Sequence, residues 1–150
     1  MKNFRFYFAL LLACYFSFQL SLSAQDVFAY KFIGKPSSDV IQKYGKPIHM
    51  DNSDPSMVCM FYKKGSDQMV FVSDQSSVYQ VDASQSFTDK ESAMDELSSL
   101  LAEAAKESFV TDTLSASEYK LEKPGIEFNA LVMHNDNMSK YEVRVKASRR

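Results

Sequence analysis

Tyr141-Glu142-Val143-Arg144-Val145-Lys146-Ala147 alternates apolar and charged side chains without a fault. A strand places successive side chains on opposite faces, so this segment fits a half-buried strand with one face on a core and the other in water. Residues 126–134 repeat the pattern, with Ile126, Phe128, Ala130 and Val132 on one face and the turn cluster Asn135-Asp136-Asn137 after them. Such a sheet needs an apolar cover. The segment from about 89 to 107 supplies one, because Ala93, Met94, Leu97, Leu100, Leu101, Ala104 and Ala105 fall on one helical face. Thr88 with Glu91 reads as a capping box, and Asp89 suits the first turn. The expectation is a helix packed on the sheet of residues 119–147, with Phe128, Ala130, Val132, Tyr141, Val143 and Val145 inward. Phe109–Leu114 and Tyr119–Glu122 read as two more strands, and Ser148-Arg149-Arg150 as a frayed tail.

The first part of the chain has a similar order. Residues 37–44 form a short helix opened by Pro36 and Ser37, with Ser37 or Ser38 as cap and with Val40, Ile41 and Tyr44 on one face. Gly45 stands at the C′ position and Pro47 prevents continuation. Two apolar runs follow, 57–62 and 69–72, with a turn around Gly65. In residues 77–83, Tyr79, Val81 and Ala83 share a face. Short strands with tight connections read as an antiparallel meander with one face against helices. The fold class expected is α+β: two helix-then-antiparallel-sheet halves, about 25–85 and 86–150, with the helices on one sheet face.

Residues 1–24 are set apart from this fold. Lys2 and Arg5 precede an apolar run from Phe6 to Leu22, then small residues at Ser21, Ser23 and Ala24, the pattern of a cleaved signal peptide. The expected product begins at Gln25 and is exported, to the periplasm or the medium. Leu11-Leu12-Ala13-Cys14 has the form of a lipidation site, but the apolar run continues past Cys14, so lipid anchoring there is not expected. Without Lys2 and Arg5, 15 basic side chains stand against 19 acidic ones in 126 residues, a net charge of −4. That balance argues against nucleic acid and anionic lipid as partners. No later segment is long and apolar enough to span a membrane. Cys59 remains the single thiol, so an intrachain disulfide is excluded.

The segment Gly34-Lys35-Pro36-Ser37-Ser38-Asp39-Val40-Ile41-Gln42-Lys43-Tyr44-Gly45-Lys46-Pro47, followed by Phe61-Tyr62, Met69–Val72 and Val78-Tyr79, resembles the small outer-membrane lipoproteins of the SmpA/OmlA family. It is also similar to the beta-lactamase-inhibitory-protein-like fold. The likeness covers residues 33–82, and residues 86–147 agree in element order. It implies a helix followed by an antiparallel sheet, repeated in tandem. In the inhibitors it implies a protein partner held across the open sheet face.

Catalytic machinery is hard to assemble. His49 and His134 are the two histidines, and Cys59 lies in an apolar strand without a basic neighbour to lower its pKa. Serines occur in no nucleophile motif, phosphate-binding glycine loops are absent, and neither Asp51–Asp54 nor Asn135–Asn137 has the ligand alternation of a calcium loop. The reading is therefore non-enzymatic and without a cofactor. Two candidate sites remain. Leu131 and Met133, on the face opposite Phe128, with Met138 nearby, are apolar where a sheet should meet water, and so mark a surface for another envelope or secreted protein. The alternative is small-ligand or soft-metal binding: His49, Met57 and Cys59 carry donors that select Cu(I), within a window that also holds Met50, Met60 and Met69.

Overall fold

The computed structural model describes residues 27–150; the signal-peptide reading of residues 1–24, including Cys14, lies outside them. A 3-10 helix (Val27–Phe32) and α1 (Ser37–Tyr44) precede β1 (His49–Asp51), β2 (Val58–Lys64), β3 (Asp67–Ser73) and β4 (Val78–Phe87). Then come α2 (Lys90–Lys106), β5 (Val110–Ser115), β6 (Glu118–Lys123), β7 (Ile126–Asn135) and β8 (Lys140–Arg149). The strands form one antiparallel sheet in the order β1-β2-β3-β4-β8-β7-β6-β5. Each half is a four-stranded meander, and the last strand of one joins the last strand of the other. That seam runs from Gln80 opposite Ser148 to Phe87 opposite Tyr141. The architecture is mixed α+β and dominated by its sheet.

One register row shows how the core is assembled. Met60, Phe71, Val81, Ala147, Phe128 and Leu121 lie side by side across six strands, and all are buried. The row beside it runs Tyr62, Met69, Ala83, Val145, Ala130 and Tyr119. Over these rows α2 lays Ala93, Leu97, Leu100 and Ala104, with Met94 and Leu101 partly buried at its flanks, chiefly against β8, β7 and β4. The expected inward residues Phe128, Ala130, Val132, Val143 and Val145 are buried, and Tyr141 packs half-buried at the margin. Asp89 caps α2: its carboxylate accepts from the Ser92 backbone N–H at 2.8 Å and the Ser92 hydroxyl at 3.0 Å. The cap therefore sits one residue later than the Thr88–Glu91 reading. At the positive end of a helix a carboxylate is a stronger acceptor than a hydroxyl.

The remaining cover combines the expected short helix with a 3-10 helix that was not expected. The 3-10 helix lies on β4 and β8 with Val27, Ala29 and Tyr30 buried. The Tyr30 ring stacks on Phe128 at 4.5 Å and meets Phe109 edge-on at 5.6 Å. α1 covers the first half through Val40 and through Tyr44, whose ring lies 5.7 Å from Phe71 and 5.9 Å from Tyr62. Ile41 faces solvent, because Val40 and Tyr44 share the inward line of an eight-residue helix and Ile41 is rotated off it. Pro36 is the N-cap of α1, without a side-chain cap, and Ser37 donates instead to the Ser73 hydroxyl at 2.8 Å. Gly45 ends α1 at φ +79°, donating to the Ile41 carbonyl, a conformation that strains any residue with a Cβ.

Two further differences have local causes. Val78, not Tyr79, is buried beside Val81, because a bulge opposite Val72 and Ser73 inserts one residue and reverses the alternation. The C-terminal tail is tied rather than frayed. Arg149 donates to Asp74 at 3.0 Å and Ser77 at 3.1 Å, and Arg150 pairs with Glu122 at 2.7 Å.

Candidate functional site: the open face of the sheet

All three helical segments lie on one side of the sheet, and among the described residues no element covers the other. One row crosses that open face on all eight strands: His49, Phe61, Val70, Asp82, Lys146, Asn129, Lys120 and Asp112. Its chemistry changes midway. On the first half Phe61 and Val70 are joined by Cys59 and Val72 from the next row, all half-buried, with Met57 exposed beside them. On the second half the face is charged and ordered by ion pairs. Arg144 grips Asp82 with two bonds, Nε to Oδ1 at 3.1 Å and Nη2 to Oδ2 at 2.9 Å. Lys120 stands between Glu122 and Glu127. Lys146 has no ion-pair partner among the described residues and borders a depression of about 290 Å³ with Gln80, Lys120, Glu127, Asn129 and Ser148.

Leu131 and Met133 point to this open face, as expected from their parity with Asn129. Leu131 lies between Arg144 and Glu118 in the register, and Met133 lies opposite Glu142. Met133 is 40% exposed and Met138, in the β7–β8 turn, 38%. Met138 borders a second depression, of about 240 Å³, with Asn135, Glu142 and Arg144. Glu142 is itself buried and accepts from Asn135 Nδ2 at 2.8 Å. The apolar patch of Phe61, Val70 and Val72 is absent from the sequence reading. Its signal was present, since the runs 57–62 and 69–72 are apolar at both parities and must show one apolar face outward.

The soft-donor residues are placed differently. Met60 and Met69 are buried under the helices, whereas Cys59 faces outward, so the methionine-rich window is divided between the two sides of the sheet. His49 is opposite Phe61, with ring centroids 5.4 Å apart; Cys59 is opposite Asp51; and Met57 precedes β2. Burial, and then the nearby Asp51 charge, push the Cys59 thiol up, which disfavours the thiolate that a metal needs. Among the described residues no group of three or more His, Cys, Asp or Glu could hold a metal ion. His134 lies in the other half, its Nδ1 2.7 Å from Asp136 and its ring edge-on to Tyr141 at 4.8 Å. No described helix is long and apolar enough to cross a membrane.

No protein-family model and no curated protein matches the chain. Among solved structures it is similar to the crystal structure of an extracellular protein containing a SCP domain from Bacillus anthracis str. Ames, with a TM-score of 0.44 and 10% identity. The likeness covers 87% of this chain and 48% of that one, so the chain spans about half the length of that protein.

Proposed function

We propose that this is an exported, non-enzymatic envelope protein, of the tandem helix-and-sheet type found in the beta-lactamase-inhibitory-protein-like fold, that binds another envelope or secreted protein through its open sheet face. The observation behind this reading is the uncovered face itself. An apolar patch borders fixed charges, the mixture of apolar centre and polar surround common to non-obligate protein interfaces. Leu131, Met133 and Met138 belong to the same surface as Phe61 and Val70, so a partner reaching both would span the β4–β8 seam.

A full chain carrying a C-terminal tag, expressed in its own cells and recovered from the envelope fraction, tests this. The expected result is a specific companion retained by the wild type and by Asp95→Ala on the helix side, and lost from Val70→Asp and Leu131→Asp. No companion under several extraction conditions, or one indifferent to all these changes, would overturn the reading. N-terminal sequencing of the same material should begin at Gln25; an intact Met1 in a purely cytosolic protein would remove export from the account.

A further inference from the structure

The two outer edges of the sheet hold equivalent places in the two meanders but are built differently. β1 is three residues long, follows Pro47, and runs into a loop where Asp51 and Asp54 accept from Ser53 and Ser56. Short length, a nearby proline and local negative charge are ordinary ways of closing an edge to further pairing. β5 is twice as long, has no proline beside it, and carries one charge, Asp112. All six residues, Val110–Ser115, are exposed, with Val110 74% and Leu114 53% accessible. It carries no lysine or proline, and among the described residues only β6 pairs with it. A strand bare on both faces and rich in β-branched residues offers a row of unpaired N–H and C=O groups.

We propose that β5 pairs antiparallel with β5 of a second copy of this chain, about a two-fold axis normal to the sheet, making a sixteen-stranded sheet. Antiparallel pairing about such an axis sets each strand against itself, so one sequence satisfies both sides. The register follows from charge. An axis over Asp112 would place two carboxylates directly opposite each other, whereas an axis over Thr111 or Thr113 gives a threonine pair at the centre, a favourable cross-strand match. Leu114 lies in a bulge against β6 and ends the regular ladder. The chain already uses this joint internally, where β4 and β8 unite the two meanders edge to edge. One strand pair buries less than a stable interface needs, so the dimer dissociates on dilution.

Sedimentation of the purified protein from about 5 μM to about 500 μM spans the affinities expected of so small a contact. The mass should rise from one chain to two across that range. Val110→Lys combined with Leu114→Lys, both at exposed positions, should keep the melting transition and abolish the rise. Val70→Asp, on the open face, should leave the rise intact, which separates this edge from the partner surface. In a Cys59→Ser background, either Thr111→Cys or Thr113→Cys should give a disulfide-linked dimer on mild oxidation, and Glu118→Cys, one strand back on β6, should not. A single-chain mass throughout, or a doubling that survives the two lysines, would overturn the proposal.

Discussion

Residues 37–87 and 90–149 each run from a helix into a four-stranded meander, and their inward faces are continuous with one another. Phe71 and Val81 from the first half and Ala147 and Phe128 from the second stand in one buried row. Outward, the same strands diverge: Phe61 and Val70 give way across two strand spacings to Lys146 and its charged neighbours. The covers differ too. Eight-residue α1 brings Val40 and Tyr44, whereas α2 brings two buried leucines and two buried alanines over seventeen residues. Shared core demands made the inward faces alike, and the outward faces, free of that demand, are where the halves specialise.

The largest way to break this comparison is to remove the heavier cover. Leu97→Ala with Leu100→Ala should leave the protein without a cooperative melt, because each buried leucine costs ~2–5 kcal/mol and the whole domain holds only about 5–15 kcal/mol. A clear melt near the wild-type temperature would show that α2 is not what holds the second half. Tyr30→Ala removes the ring stacked on Phe128 at the seam and should cost about 3–5 kcal/mol in denaturant titration, whereas Tyr30→Phe should cost under about 1 kcal/mol, since the hydroxyl reaches Glu107 only at 3.5 Å. Val40→Ala, under the lighter cover, should cost only about 2 kcal/mol. A Val40 loss equal to that of the leucine pair would erase the distinction between the halves.

The smallest effect is electrostatic. Lys31 bridges Glu103 and Glu107, each at 2.8 Å, and Lys123 reaches Glu107 at 3.4 Å, tying the 3-10 helix to the end of α2 and to β6. Burial pushes the Glu107 carboxyl up, but the two lysines outweigh it and hold it below the usual range; the Lys31 bond lowers Glu103 likewise. A carboxylate whose folded pKa is depressed contributes stability above its unfolded pKa and loses it as pH falls through the folded value. Melting temperature should therefore fall on acidification below about pH 5, and Glu107→Gln should begin slightly lower at neutral pH and fall less. Parallel curves for the two proteins would remove Glu107 from the acid response.

What could be read from residues alone follows from local physics. α2 declared itself through a regular stripe and a carboxylate cap, and β8 through seven residues of strict alternation. The 3-10 helix did not, because Val27-Phe28-Ala29-Tyr30-Lys31-Phe32 has neither a start signal nor a helical period and is fixed by residues far along the chain, Phe128 and Phe109 among them. β1 is too short to show a pattern, and one inserted residue opposite Val72 and Ser73 reversed the reading of Tyr79. The β4–β8 seam joins residues more than fifty positions apart and leaves no mark in either strand. At the site, Leu131 and Met133 were legible as apolar residues at outward parity. Phe61 and Val70 were not, because a run apolar at both parities does not say which face stays bare.

Photo-crosslinking in intact cells tests most directly whether the open face is the working surface. A photoreactive phenylalanine analogue is placed singly at Val70 and Leu131 on the open face, and at Asp95 and Ala102 on the outer side of α2. The account predicts an adduct of one common mass from Val70 and Leu131 and none from Asp95 or Ala102. Adducts from the α2 positions with none from Val70 and Leu131 would contradict it and move the working surface to the helices.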